Sequence, residues 1–89
     1  MNAATQLPGT IKFPGGYHVV VRVSAWGRGC ACGQVHFVTG DKGDFCQEAK
    51  VITLWEGLTP RQRWEILAHE YVHAWVDWQY WLKQSLEGR

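Results

Sequence analysis

No stretch of this 89-residue chain is apolar for the roughly 18 residues that a membrane-spanning helix requires. Charge of neither sign dominates: nine Lys and Arg face eight Asp and Glu, for a formal net charge of +1. There is no run of basic residues, so composition gives no electrostatic basis for a nucleic-acid partner or an anionic membrane surface. The N-terminal stretch MNAATQLPGTIKFPGG has neither the charged start nor the apolar segment of a secretory signal. The expected location is therefore cytoplasmic. Cysteine is scarce and odd in number. Cys30, Cys32 and Cys46 cannot all pair within one chain, which excludes a complete disulfide framework and points to free thiols or metal ligands. The length accommodates one domain, residues 1–89. A domain this small buries a modest share of its surface, so a metal or a partner is a candidate source of stability.

What the chain does contain falls into two halves. Residues 1–10 read as a flexible arm, and Pro8-Gly9 and Pro14-Gly15-Gly16 are turn signals. Tyr17 to Ala25 is rich in β-branched residues, with Val19, Val21 and Val23 on one face and Arg22 and Ser24 on the other; it reads as a strand. Gly27, Gly29 and Gly33 mark a turn. Gln34 to Thr39 reads as a second strand paired with the first as a hairpin, Gly40 to Asp44 as a loop, and Lys50 to Trp55 as a third strand. The period then changes. Thr59 suits an N-cap, Pro60 the first helical position, and Gln62 the reciprocal place in a capping box. No Gly or Pro follows until after Leu86, and Trp64, Leu67, Ala68, Tyr71, Trp75, Trp78 and Leu82 recur at three- and four-residue steps. Apolar residues off that stripe predict a helix that is largely buried. The expected fold is α+β: a small antiparallel sheet packed against one long C-terminal helix. Such a helix would be about 40 Å long, against a radius of gyration of about 12 Å for a compact domain of this size, so it must bend, protrude or be covered. The six tryptophans are expected to supply buried area to a small core; the alternative is an exposed cluster that meets a protein partner.

Within the helix lies His69-Glu70-Tyr71-Val72-His73, the pattern H-E-x-x-H. Residues four apart share a helical face, so both imidazoles can reach one zinc ion. Glu70 is rotated away from the pair and can take a proton from water activated by the metal. Two histidines on a buried helix can also be ordinary core residues, but the pattern here sits on a helix preceded by a strand and a short turn, the context the motif requires.

The segment AKVITLWEGLTPRQRWEILAHEYVHAWVDW, residues 49–78, resembles the core of zincin metallopeptidases. It is most similar to ImmA/IrrE-type proteins through its strand, short linker, Arg-containing helix start and LAHE..H block, with SprT-like zincins as the second choice. The resemblance covers about a third of the chain and implies a zinc-dependent peptidase with His69 and His73 as metal ligands, Glu70 as general base, and a peptide or protein as substrate. It also implies that the strand from Lys50 to Leu54 is the edge along which an extended peptide lies, a β-augmentation mode. The chain departs from related patterns in having Val76 and Gln79 where a metzincin has Gly and His or Asp, and in having no histidine after His73.

The third zinc ligand is left open, with Asp77 the first candidate and Glu87 the alternative. Asp77 is four residues past His73 but about 12 Å along a straight helix from His69. Glu87 would serve only if the chain turned back near Tyr80. An upstream ligand, in the manner of peptide deformylases, would come from the cysteine region. Cys30, Cys32, His36 and Cys46 themselves offer a Cys3His set for a second, structural zinc, although the C-x-C spacing is atypical. The other reading is three ordinary thiols with His36 facing solvent. His18 has no motif context and reads as a strand-surface residue. Two functions follow: a zinc metallopeptidase, or a non-catalytic zinc-stabilised module that offers its Trp-rich helix to a partner.

Overall fold

The structure, a computed structural model, describes residues 6–87. Four strands, β1 (Thr10–Lys12), β2 (His18–Ser24), β3 (Gly43–Cys46) and β4 (Val51–Trp55), precede a single helix, α1 (Pro60–Glu87). The α+β class and the helix-on-sheet architecture match the sequence-based expectation. The sheet order is β1-β2-β4-β3. Its two outer pairs are antiparallel, whereas the central pair, β2 and β4, is parallel with Val21 opposite Ile52 and Val23 opposite Leu54. The sheet is thus mixed rather than wholly antiparallel, because the chain crosses over between β2 and β4 instead of forming a hairpin.

The crossover is where the sequence reading fails locally. Residues 34–39 form no strand, despite their Val and Phe content, and the short strand falls instead at Gly43–Cys46. Phe37 explains the first difference. It is only 1% exposed, lies outside the cluster of buried residues beneath the helix, and anchors the crossover while its carbonyl accepts a hydrogen bond from the Gly27 N–H. Pairing with β4 explains the second, since a short strand beginning with Gly has little propensity of its own. Residues 1–5 of the expected flexible arm lie outside the described residues. The rest of that arm is engaged, with the Gly9 carbonyl accepting from Val21 N–H and Thr10 opening β1.

Helix α1 begins as its sequence specifies. The Gln62 N–H donates to Thr59 Oγ1 at 3.2 Å, and the Thr59 N–H donates to Gln62 Oε1 at 2.9 Å, a complete capping box. Its 28 residues run unbroken, a length of about 42 Å that accounts for the 44 Å long axis of the molecule and its radius of gyration of 13.8 Å. The helix neither bends back nor hangs free. The stretch from Tyr71 to Trp81 is packed by residues 13–17: Phe13 stacks against Tyr71 and Trp78, Tyr17 meets Trp81, and Trp78 Nε1 donates to the Pro14 carbonyl at 2.9 Å.

One helical face meets the sheet. Leu67 and Ala74 join Val19, Ile52, Leu54, Leu58, Phe13 and Tyr17 in the core. The expectation of a largely buried helix does not hold, because only Leu67, Glu70 and Ala74 are buried. A narrow sheet of short strands covers one side of a helix and no more. Nor are the tryptophans core residues. Trp55, Trp78 and Trp81 pack at the core margin, Trp26 stacks flat on Trp55 at 4.4 Å on the crossover side, and Trp64 and Trp75 stay exposed beside Tyr71 and Val72. Among the described residues, no helix is long and apolar enough to cross a membrane.

Candidate functional site

Strand alternation divides β3 between two environments. Gly43 and Phe45 face α1: Phe45 packs on the core, and Gly43 lies so close that an added Cβ would collide with Ile66 Cγ2 and come within 3.2 Å of Glu70 Cγ. Asp44 and Cys46 point to the opposite face, toward the crossover. Glycine at 43 is therefore a requirement of close approach. Gly43→Ala is expected to push β3 from the helix at a cost of about 1–3 kcal/mol. Urea unfolding reads that loss, and wild-type stability in this variant would show that strand and helix are not packed as described.

Against this strand Glu70 is 8% exposed. Burial raises its carboxyl pKa, the neighbouring His73 and His69 oppose the rise, and the charge of Asp44 reinforces it. His69 and His73 are exposed, with ring centroids 5.1 Å apart, so the one-turn spacing does bring the two imidazoles together. A cleft of about 720 Å³ runs between β3, the turn that follows it, and α1; Asp44, Glu70, His73 and Asp77 are among its lining residues. Its wall is an edge strand, but not the expected one. β4, which contains most of Lys50–Leu54, is interior with neighbours on both sides; the sheet's edges are β1 and β3, and the edge that walls this cleft is β3.

Of the two candidates for a third ligand on the helix, Asp77 lines the same cleft as His73 but is engaged by other residues. Asp77 Oδ2 accepts a hydrogen bond from the Tyr17 hydroxyl at 2.6 Å and pairs with Lys50 Nζ at 2.8 Å. Burial, then the hydrogen bond and charge of Asp77, push the Tyr17 phenol well above its ordinary pKa. Lys50 reaches Asp77 from a left-handed backbone conformation (φ 58°) that closes the β3–β4 turn. Glu87 ends the same unbroken helix, about 21 Å along the axis from His73, so the turn near Tyr80 that it would need does not occur. Among the described residues, neither joins His69 and His73 in a group of three potential ligands. The histidine pair thus stands on the helix without a third potential ligand grouped with it among the described residues.

The one group of three or more candidate ligands among the described residues is Cys30, Cys32, His36 and Cys46, whose ligand atoms all lie within 4.8 Å of one another. This group can hold a metal ion. Cys30 and Cys32 arrive from the crossover and Cys46 from the end of β3. Burial opposes ionisation of Cys30, yet hydrogen bonds from the Cys32 backbone and from the His36, Cys32 and Cys46 side chains lower its pKa to about 7. Burial raises that of Cys46. His36 does not face open solvent as a free strand residue; its Nδ1 lies 2.9 Å from Asp44 Oδ2, an ion-pair distance with the N–H off the line of a hydrogen bond. His18 is exposed on β2, as expected.

Asp44, Tyr17 and Lys50 escaped the sequence reading. A signal for Asp44 existed: two positions before Cys46 in a strand, it must share the face of that cysteine. Tyr17 and Lys50 carried none, since their partner is 60 and 27 residues away. No family model matches this chain, and no curated protein or solved structure matches it.

Proposed function

We propose that the chain is a zinc-dependent peptide hydrolase whose substrate lies extended in the cleft along the free edge of β3. The observation that carries this reading is the position of Glu70: it is buried against Gly43 on that edge strand and flanked on its own helix by His69 and His73. The carboxylate, the His73 imidazole and the edge strand line one cleft, with His69 one helical turn before His73. His69 and His73 would hold the zinc, which would supply the Lewis acidity that makes water a nucleophile at neutral pH. Glu70 accepts the proton of that water on its carboxylate and delivers it to the departing amine. Backbone groups of β3 pair with the peptide and fix its direction. Close packing at Gly43 keeps the strand against the carboxylate and so holds peptide and base together.

A second reading, a zinc-stabilised binding module, is favoured by the exposed apolar stripe of Trp64, Tyr71, Val72 and Trp75 on α1 and by the lack of a third helix ligand. Cleavage of a mixture of unstructured peptides by the zinc-loaded chain, followed by mass spectrometry, separates the two. Peptidase action predicts products that disappear on chelation, return with zinc and are absent in His73→Ala. Cleavage that persists in His73→Ala, or none by the zinc-loaded protein, refutes the peptidase and leaves the binding module.

A further inference from the structure

The cysteine cluster lies on the other side of β3 from Glu70, and its chemistry is of a different kind. Three thiols and an imidazole form a closed tetrahedral donor set for zinc, with no position kept for substrate. Hard cations that take oxygen ligands are poorly served by it. Zinc–sulfur bonds of about 2.3 Å imply ligand-to-ligand separations of roughly 3.8 Å, so a group already within 4.8 Å needs only a small contraction.

Two further observations point to a bound ion. His36 Nε2 is buried and makes no well-aligned hydrogen bond; the group that side chain interacts with most strongly is the Cys30 thiol of the same cluster, so the nitrogen already faces a zinc-type donor. With Nδ1 at 2.9 Å from the Asp44 carboxylate, Nε2 is the nitrogen left for a metal. A small turn of the ring on metal binding would align the Nδ1–H with that carboxylate, giving the carboxylate–histidine arrangement in which an outer partner fixes the tautomer and direction of a ligating ring. The second observation is the crossover itself. Residues 25–42 contain no strand or helix, and structureless connections longer than about 12–15 residues are uncommon in compact domains. Cys30, Cys32 and His36 come from its middle and Cys46 from β3, so an ion here ties the connection to the sheet.

We propose that Cys30, Cys32, His36 and Cys46 form a structural zinc site, and that Asp44 is its positioning residue, holding His36 by Nδ1. The site staples the crossover to the strand whose opposite face packs on Glu70. Asp44 itself lines the cleft, so the same short strand belongs to the staple and to the wall of the cleft. Nothing in this assignment depends on a metal at His69 and His73.

Cobalt loading of the full chain carrying His69→Ala and His73→Ala tests it. Removing both helix histidines makes the result independent of the peptidase reading. The expected result is one cobalt per chain with a strong thiolate-to-cobalt charge-transfer band, weakened or lost in Cys46→Ser. Asp44→Asn, in the same background, is expected to keep the band while zinc affinity, read by chelator competition, falls about 10- to 100-fold. Because Asp44→Asn removes no ligand, it remains informative if Cys46→Ser fails to fold. Absence of the thiolate band in the His69→Ala, His73→Ala chain overturns the site. Unchanged zinc affinity in Asp44→Asn overturns the positioning role.

Discussion

Glu70→Gln is expected to leave zinc content unchanged and to lower peptide turnover by about 10²–10⁴-fold, the range that a positioned proton acceptor contributes. The amide matches the carboxylate in size, so its packing beside Gly43 survives and only the capacity to accept a proton is lost. Stability should move in the opposite direction. The carboxyl pKa of Glu70 is raised in the folded state, chiefly by burial. A raised acid favours the folded state while it is protonated, and that advantage is lost as pH rises from the unfolded pKa through the folded one. At neutral pH the ionised, partly desolvated carboxylate therefore works against folding, and Gln removes it. Metal-free Glu70→Gln should melt at or above the wild-type temperature at pH 7. Native mass spectrometry, the peptide assay and thermal melts together check the result. Undiminished turnover would exclude Glu70 as the base, whereas loss of zinc along with activity would assign it to metal binding instead.

Phe37→Ala should produce the largest loss of stability, about 3–5 kcal/mol. A domain of this length has about 4–13 kcal/mol in all, so the variant sits close to the threshold of folding. Phe37 is 1% exposed and buried apart from the residues that pack beneath the helix; its ring is the apolar anchor of the crossover. Removing it frees the segment from which Cys30, Cys32 and His36 are presented. Urea unfolding measures the effect, and Phe37→Leu, which retains much of the volume, is expected to lose less. A loss below about 1 kcal/mol for Phe37→Ala, well short of the usual cost of such a truncation, would mean that the crossover is not held by this side chain.

Local chemistry was legible in the residues. Thr59 and Gln62 announced a capping box because both partners lie within one helical turn of each other. The four-residue step between His69 and His73 brought their rings together for the same reason. Val51–Trp55 declared itself a strand through its β-branched and aromatic content. The grouping of Cys30, Cys32, His36 and Cys46 was foreseen from ligand type alone, and its position against β3 was not.

Distant pairings decided the rest. Residues 34–39 carry strand-forming side chains yet lie in the crossover, because burying Phe37 there outweighs local propensity. Gly43–Cys46 has little propensity, yet it is the edge strand, because β4 offers it a partner and the helix leaves room only for glycine at 43. Asp77 was a candidate ligand already distant from His69 along a straight helix, and its contacts with Tyr17 and Lys50 could not be read from the residues around it. By itself the sequence determined the helix, its cap, the histidine pair and the candidate donor atoms, all set by interactions within a few residues. Only the tertiary structure decided the parallel central pair, the free edge beside Glu70, the exposed tryptophan face and the contact between Asp44 and His36. These depend on which surfaces a four-stranded sheet can cover, and no local propensity encodes that.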